Sequence, residues 1–227
     1  MKVICFDFDD VIVRTNTIHK LIKLFGQRLK IFELEIEFLE DNLEPKKFFG
    51  VVKRIVMMGK GLEFKKIKNY MLKFGVNKGV KHVFKFLKSK NYKIVIVSTN
   101  DQRIIKDFLK KNHIDKYIDQ IYAAKLGIKN GLLTGKIYGD VIKTEKTGIV
   151  KKIEKKYKIK KEDIIYIGDG LTDLPIIKLV GRGILFCPNE LAKAEVFIDK
   201  TLKKKEKNGK LFLVEKKDMR EILKFVM

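Results

Sequence analysis

Three apolar runs in this chain each stop abruptly on acids or small polar residues. Residues 2–7 read KVICFD and lead into Phe8-Asp9-Asp10-Val11. Residues 93–97 read KIVIV and lead into Ser98-Thr99-Asn100. Residues 164–167 read IIYI and lead into Gly168-Asp169-Gly170, with Asp173 just beyond. Short continuous apolar runs of this kind are the mark of strands buried on both faces, as in a parallel sheet. Stretches of helical periodicity lie between them, at 80–87, 103–110, 147–157 and 174–179. Strand and helix in alternation predict an α/β fold built on a doubly wound parallel sheet. Residues 183–186 and 196–198 read as two further short strands, and 218–225 as a closing helix. Lys129-Asn130-Gly131, between the apolar stretches of 126–137, predicts a β-hairpin, because Asn-Gly suits the left-handed positions of a tight turn.

One segment does not alternate. From about residue 16 to 75 the pattern is helical, with Ile18, Leu21, Ile22 and Phe25 at helical spacing, a break at 42–45, and renewed periodicity over 48–58 and 64–74. No strand is expected there. The length of 227 residues suits one core with one inserted subdomain. The expected division is a core of residues 1–13 and 78–227 with a small all-helical insertion at 14–77. Met57-Met58 with Phe48 and Phe49 forms an apolar stripe expected to pack inside that insertion.

Composition narrows the partners. Lys and Arg total 51 against 28 acids, a net charge of +23. Such a charge fits either a polyanion partner such as RNA or a solvated lysine-rich surface. Lys outnumbers Arg, Glu is frequent, Gln occurs only at 27, 102 and 120, and the lysines are spread over every expected helix. That pattern favours the second reading and a thermophile-like origin, with nucleic acid the lesser possibility. The denser run at 203–210 reads as a loop. No stretch of roughly 18 apolar residues occurs, so no membrane-spanning helix is expected. The start of the chain turns acidic too soon for a signal peptide. Cys5 and Cys187 both read as buried strand residues, which fits a reducing cytoplasm. His19, His82 and His113 lack metal-ligand spacing and read as surface or helix-end residues. Oligomeric state is not legible.

In a parallel sheet, ligands bind beyond the carboxyl ends of the strands. A lone acid there is most often a helix cap or turn former. Two acid clusters converging with a hydroxyl between them demand a cation, because packed carboxylates repel one another. All-oxygen ligands suit Mg²⁺. Around such an ion one carboxylate can attack phosphorus, and a second, two residues along, can move the leaving-group proton. A lysine at a helix N-terminus would offset the phosphoryl charge, and Lys146, just before the 147–157 helix, is so placed, although most lysines of this chain read as surface residues.

Asp7-Phe8-Asp9-Asp10-Val11, Ser98 after KIVIV, Lys146, and Gly168-Asp169-Gly170-Leu171-Thr172-Asp173 occur in the order of the four motifs of the haloacid dehalogenase superfamily. The chain resembles that superfamily, and its phosphoserine phosphatase branch in particular, through residues 126–146, Phe186-Cys187-Pro188 and residues 215–224. The resemblance covers residues 1–12 and the chain from 78 onward, and the insertion matches the helical C1 cap in position and type. It implies a Mg²⁺-dependent phosphomonoesterase acting through an aspartyl-phosphate on a small phosphorylated metabolite. Asp7 would be nucleophile and metal ligand, Asp9 general acid/base with its carbonyl on the metal, and Asp169 the further ligand. Ser98, Thr99 and Lys146 would hold phosphate, and Asp173 would support the metal shell or Lys146. The branch has two glycines where Thr99 and Asn100 stand, and an acid where Asn16 stands. Asn16, Asn100 and Arg54, the last able to hold a substrate carboxylate, are therefore the specificity candidates. The rival readings are a phosphotransferase or phosphomutase with the same intermediate, and a polyanion-binding protein with a vestigial site.

Overall fold

A computed structural model describes residues 2–15, 20, 45–144 and 146–226, with the backbone alone at 45–48. Its centre is a seven-stranded sheet ordered β4-β3-β2-β1-β5-β6-β7. The strands are β1 (Val3–Phe6), β2 (Lys93–Asp101), β3 (Gln120–Lys129), β4 (Leu132–Tyr138), β5 (Ile164–Gly168), β6 (Arg182–Phe186) and β7 (Leu211–Val214). All neighbours pair in parallel except β3 and β4, which form the antiparallel hairpin. Asn130 and Gly131 turn it with φ of 50° and 79°, the two left-handed positions that the Asn-Gly pair supplies.

The continuous apolar runs arise because successive side chains serve two cores. Ile4 and Phe6 of β1, Ile94 and Ile96 of β2, and Ile165 and Ile167 of β5 enter the core on one face. Val3 and Cys5, Val95 and Val97, and Ile164 and Tyr166 enter the core on the other. Helices cover both faces: α1 (Pro45–Met58), α2 (Phe64–Met71), α3 (Val80–Ser89), α4 (Gln102–Lys111), α5 (Asp140–Lys143), α6 (Gly148–Tyr157), α7 (Leu174–Leu179), α8 (Glu190–Ile198), α9 (Lys200–Lys207) and α10 (Leu223–Val226). No helix among the described residues is long and apolar enough to cross a membrane.

Four sequence readings are corrected. Residues 196–198 end helix α8 and are not a strand: Asn189 caps that helix by accepting from the Ala192 N–H, and Ala192 and Val196, one helical turn apart, are its buried stripe. The lysine run is helix α9 up to Lys207: the Asp199 carboxylate accepts from the N–H groups of Thr201 and Leu202, and Leu202 is fully buried. The last strand is β7, a short apolar run, LFLV, that the sequence reading passed over. Cys187 lies past the end of β6, half-buried with φ 48°, whereas Cys5 is buried in β1. His82 and His113 are exposed, as expected. Ile18, His19, Leu21, Ile22, Phe25 and the break at 42–44 lie outside the described residues.

The described part of the insertion is helical and sits directly on the core. Ile67 and Met71 of α2 pack with Ile104 of α4 and Leu133 of β4, and Lys68 pairs with Asp107 at 2.8 Å. Phe49 and Val52 of α1 join the core that holds Val95 and Val97. Met57, by contrast, is exposed. The roots of the insertion are zipped by the Val13–Val76 bridge and by the Arg14 N–H donating to the Gly75 carbonyl at 2.8 Å.

Gly181 links α7 to β6 with its N–H donating to the Lys161 carbonyl at 2.9 Å. A Cβ there would lie 1.9 Å from the Glu162 carbonyl oxygen, so the backbone itself would have to move. Gly181→Ala is expected to destabilise the fold by about 1–3 kcal/mol, the usual cost of overpacking. Urea unfolding checks this, and an unchanged midpoint would refute the close packing.

Candidate active site

Parallel register brings the polar strand ends together. Phe6 lies beside Ile96 of β2 and Ile167 of β5, so Asp7, Ser98 and Asp169 emerge side by side at one edge of the sheet. The Asp7 N–H extends the ladder, donating to the Ile167 carbonyl at 2.8 Å. Beyond Asp7 the chain curls tightly. Asp10 takes φ 51°, and the N–H groups of Ile12 and Val13 both return to the Phe8 carbonyl. Asn77 clamps this loop: its buried side-chain amide donates to the carbonyls of Asp10, Val11 and Val13 at 2.7, 3.0 and 3.4 Å.

Lys146 is the centre of charge. It is 1% exposed, and its Nζ lies 2.7 Å from Asp173 Oδ1 and 3.1 Å from Asp7 Oδ2. It reaches there from the residue pair preceding α6, with its backbone at φ 65°. Asp173 is fully buried and heavily engaged. Its Oδ1 also accepts from the Tyr166 hydroxyl at 2.8 Å, and its Oδ2 from the N–H groups of Asp169 and Gly170 at 3.0 and 3.2 Å. Gly168 makes this possible, since a Cβ there would sit 2.3 Å from the Asp173 carboxyl carbon.

One carboxylate oxygen from each of Asp7, Asp169 and Asp173 lies within 4.8 Å of the others. Burial pushes the Asp7 carboxyl up to about 7; Lys146 opposes the shift, while Asp173 and Asp9 add to it. Burial, and then the charges of Asp173 and Asp7, hold Asp169 well above the ordinary carboxylate range. Burial alone would lower Lys146, but Asp173 and Asp7 outweigh it and keep the ammonium charged. One buried lysine does not balance these carboxylates, so the donor set fits a hard divalent cation such as Mg²⁺. With Asp173 occupied by its donors, Asp7 and Asp169 are the carboxylates suited to hold one.

The remaining sequence candidates divide. Ser98, 1% exposed, accepts the Asn100 N–H on its Oγ at 3.0 Å. Asp9, Thr99 and Asn100 are half-buried at the same edge, and the Asn100 Nδ2 donates to Asp9 Oδ1 at 3.4 Å. Arg54 is an exposed residue of α1. Asn16 lies outside the described residues. Sequence reasoning missed Tyr166 and Asn77. An apolar run hides the tyrosine, and nothing local distinguishes the asparagine.

Two outcomes are expected. Gly168→Ala should displace Asp173 and loosen Lys146, lowering the melting temperature and any activity of the site together; a variant identical to wild type in both would refute that contact. In metal-free protein, the raised Asp7 value means that the folded chain holds a proton the unfolded chain releases between its ordinary 3.8 and about 7. Folding stability should therefore fall as pH rises through that window. Urea midpoints in chelator across this range should show the fall, and Asp7→Asn should make it shallower, leaving the share that Asp169 contributes; parallel curves would contradict the assignment.

The chain as a whole is similar to known proteins. Residues 1–181 match the family model for a haloacid dehalogenase-like hydrolase. A phosphoserine phosphatase of Methanocaldococcus jannaschii is 28% identical over 226 residues, covering 99% of this chain and 97% of that protein. A solved substrate-bound phosphoserine phosphatase complex aligns with a TM-score of 0.79 at 27% identity, covering 100% of this chain and 98% of that one. A structure described as a phospho-aspartyl intermediate analogue of phosphoserine phosphatase aligns with a TM-score of 0.78 at 27% identity, covering 100% and 99%.

Proposed function

Because this chain belongs to the haloacid dehalogenase-like hydrolases, we propose that it is a Mg²⁺-dependent phosphomonoesterase that works through an aspartyl-phosphate on a small phosphorylated metabolite of the phosphoserine kind. The observation that carries this reading is the buried Lys146 ammonium shared by Asp7 and Asp173, with Asp169 in reach of both carboxylates. Relatives of matching length named phosphoserine phosphatase support the substrate class.

An Asp7 carboxylate oxygen attacks phosphorus, and the bond to the ester oxygen breaks. The Asp9 carboxyl gives its proton to the departing alkoxide. Asp9, now a carboxylate, takes a proton from a water that attacks the phosphoryl group, releasing inorganic phosphate and restoring Asp7. Lys146, Ser98 and Thr99 hold the phosphoryl oxygens, and Asp173 keeps Lys146 aimed through its 2.7 Å contact. Asp7, Asp169 and the Asp9 carbonyl would hold the Mg²⁺, which supplies positive charge to the phosphoryl oxygens. The described part of the insertion is placed to cover the site and exclude water: α1 packs near the 171–173 turn, with Phe49 and Val52 in the same core as Leu171. Arg54 and the segment around Asn16 then belong to the part that selects the substrate. A metabolic role of this sort fits a cytoplasmic protein.

The polyanion reading draws less support. Many lysines are engaged in dispersed local pairs, such as Lys88 and Lys93 with Asp119, Lys178 with Asp199, and Lys193 with Glu215. That pattern suits a solvated surface better than a groove.

Inorganic phosphate release from phosphoserine and a panel of phosphate monoesters, with Mg²⁺ and with chelator, is the test. Turnover should require the metal, vanish in Asp7→Asn, and fall about 10²–10³-fold in Lys146→Met, the usual cost of losing one charge-stabilising donor. Turnover retained by Asp7→Asn would end the aspartyl-phosphate reading. Phosphate passed to an acceptor without free release would favour the transferase reading.

A further inference from the structure

We infer that Asn100 is a positioning residue for Asp9, fixing the carboxyl that moves the proton by tying it to the loop that carries Ser98. The inference rests on the phosphomonoesterase reading above and deepens it at Asn100.

The geometry constrains Asn100 at both ends. Its N–H donates to Ser98 Oγ at 3.0 Å, which fixes the backbone against the serine. Its side-chain Oδ1 accepts the Asp101 N–H at 2.8 Å, which fixes the amide plane and therefore the direction of the Nδ2 hydrogens. That nitrogen lies 3.4 Å from Asp9 Oδ1, at the long end of a hydrogen bond, as catalytic contacts often are before substrate binds.

The support beneath Asn100 is rigid. Asp101 is 2% exposed, and its carboxylate accepts from Arg103 Nε at 3.0 Å, from Arg103 Nη2 at 2.6 Å and from the Leu126 N–H at 2.7 Å. It also caps α4 by accepting the Arg103 N–H at 2.8 Å. The Arg103 guanidinium in turn lies 4.5 Å from the centre of the Phe64 ring, the first residue of α2 in the insertion. Asn100 is thus anchored to a stiff corner of the core, and Asp9, on the loop after β1, is held from across the strand boundary.

Leaving-group dependence reads this role directly. Protonation by Asp9 matters for a poor leaving group such as the serine hydroxyl of phosphoserine and little for p-nitrophenolate. The experiment measures kcat/KM for phosphoserine and for p-nitrophenyl phosphate, with Mg²⁺, in wild type, Asn100→Ala, Asn100→Asp, Asp9→Asn and the double variant Asp9→Asn with Asn100→Ala. Asn100→Asp keeps the shape and the acceptor for the Asp101 N–H but has no amide donor, so it serves if the alanine variant folds poorly. Both Asn100 variants should lose kcat/KM for phosphoserine by about 10–100-fold, the range expected for a misplaced catalytic group. They should lose clearly less for p-nitrophenyl phosphate, and Asn100→Ala should add little to Asp9→Asn. Equal losses on the two esters, or full additivity with Asp9→Asn, would overturn the inference while leaving the phosphatase reading intact. Absence of Mg²⁺-dependent turnover in wild type, or an Asp9→Asn variant without leaving-group dependence, would overturn the function reading and this inference with it.

Discussion

A buried ammonium between carboxylates is the contact on which this site depends. Without Lys146, Asp7 and Asp173 would face one another in a pocket that water hardly enters, and like charges in such surroundings drive protons back onto the acids. Several otherwise odd choices follow from keeping that lysine in place. Its backbone takes the left-handed region just before α6, Tyr166 spends its hydroxyl on Asp173 in the middle of an apolar strand, and Gly168 is bare because the Asp173 carboxyl occupies the space of a Cβ. Each makes Asp173 a fixed acceptor, and a fixed acceptor holds the ammonium without the reorganisation that a mobile partner would demand.

The loops around that centre are gripped from outside it. Asn77, where the chain returns from the insertion, holds three carbonyls of the loop after β1 and so ties the root of the insertion to the loop bearing Asp9. On the neighbouring strand, Asp101 gathers Arg103 and the Leu126 N–H, and Arg103 reaches Phe64 of α2. The site is thereby framed by two corners that join core and insertion. Both corners brace the loops on which Asp9 and Ser98 stand.

The sequence was most legible where one physical demand dominates. Continuous apolar runs can serve two cores only by alternating inside a covered sheet, which is why β1, β2 and β5 could be read, and why the acids at their ends had to converge. It was least legible where local pattern and tertiary context disagree. Val196-Phe197-Ile198 has strand composition, yet the Asn189 cap and the Ala192–Val196 spacing make it the end of a helix, with Phe197 and Ile198 left exposed. The lysine run past Asp199 looks like a solvated loop, but a doubly engaged aspartate cap and one buried leucine suffice to wind it into α9. Leu211–Val214 becomes a strand because β6 offers it an edge.

What the residues alone determined is the set of chemical parts: a parallel α/β sheet, acids and a hydroxyl at its strand ends, a lysine before a helix and a helical insertion after the first strand. These follow from periodicity and strand polarity, which are local properties. What only the tertiary structure decided is the division of labour among like residues. One lysine of many became the buried counter-ion, Asp173 became a support with four donors on it, Asn77 and Tyr166 joined the site, and Asn100, a candidate for specificity, came to bond Asp9. That division depends on distances between residues remote in number, and those distances exist only once the strands have found their register.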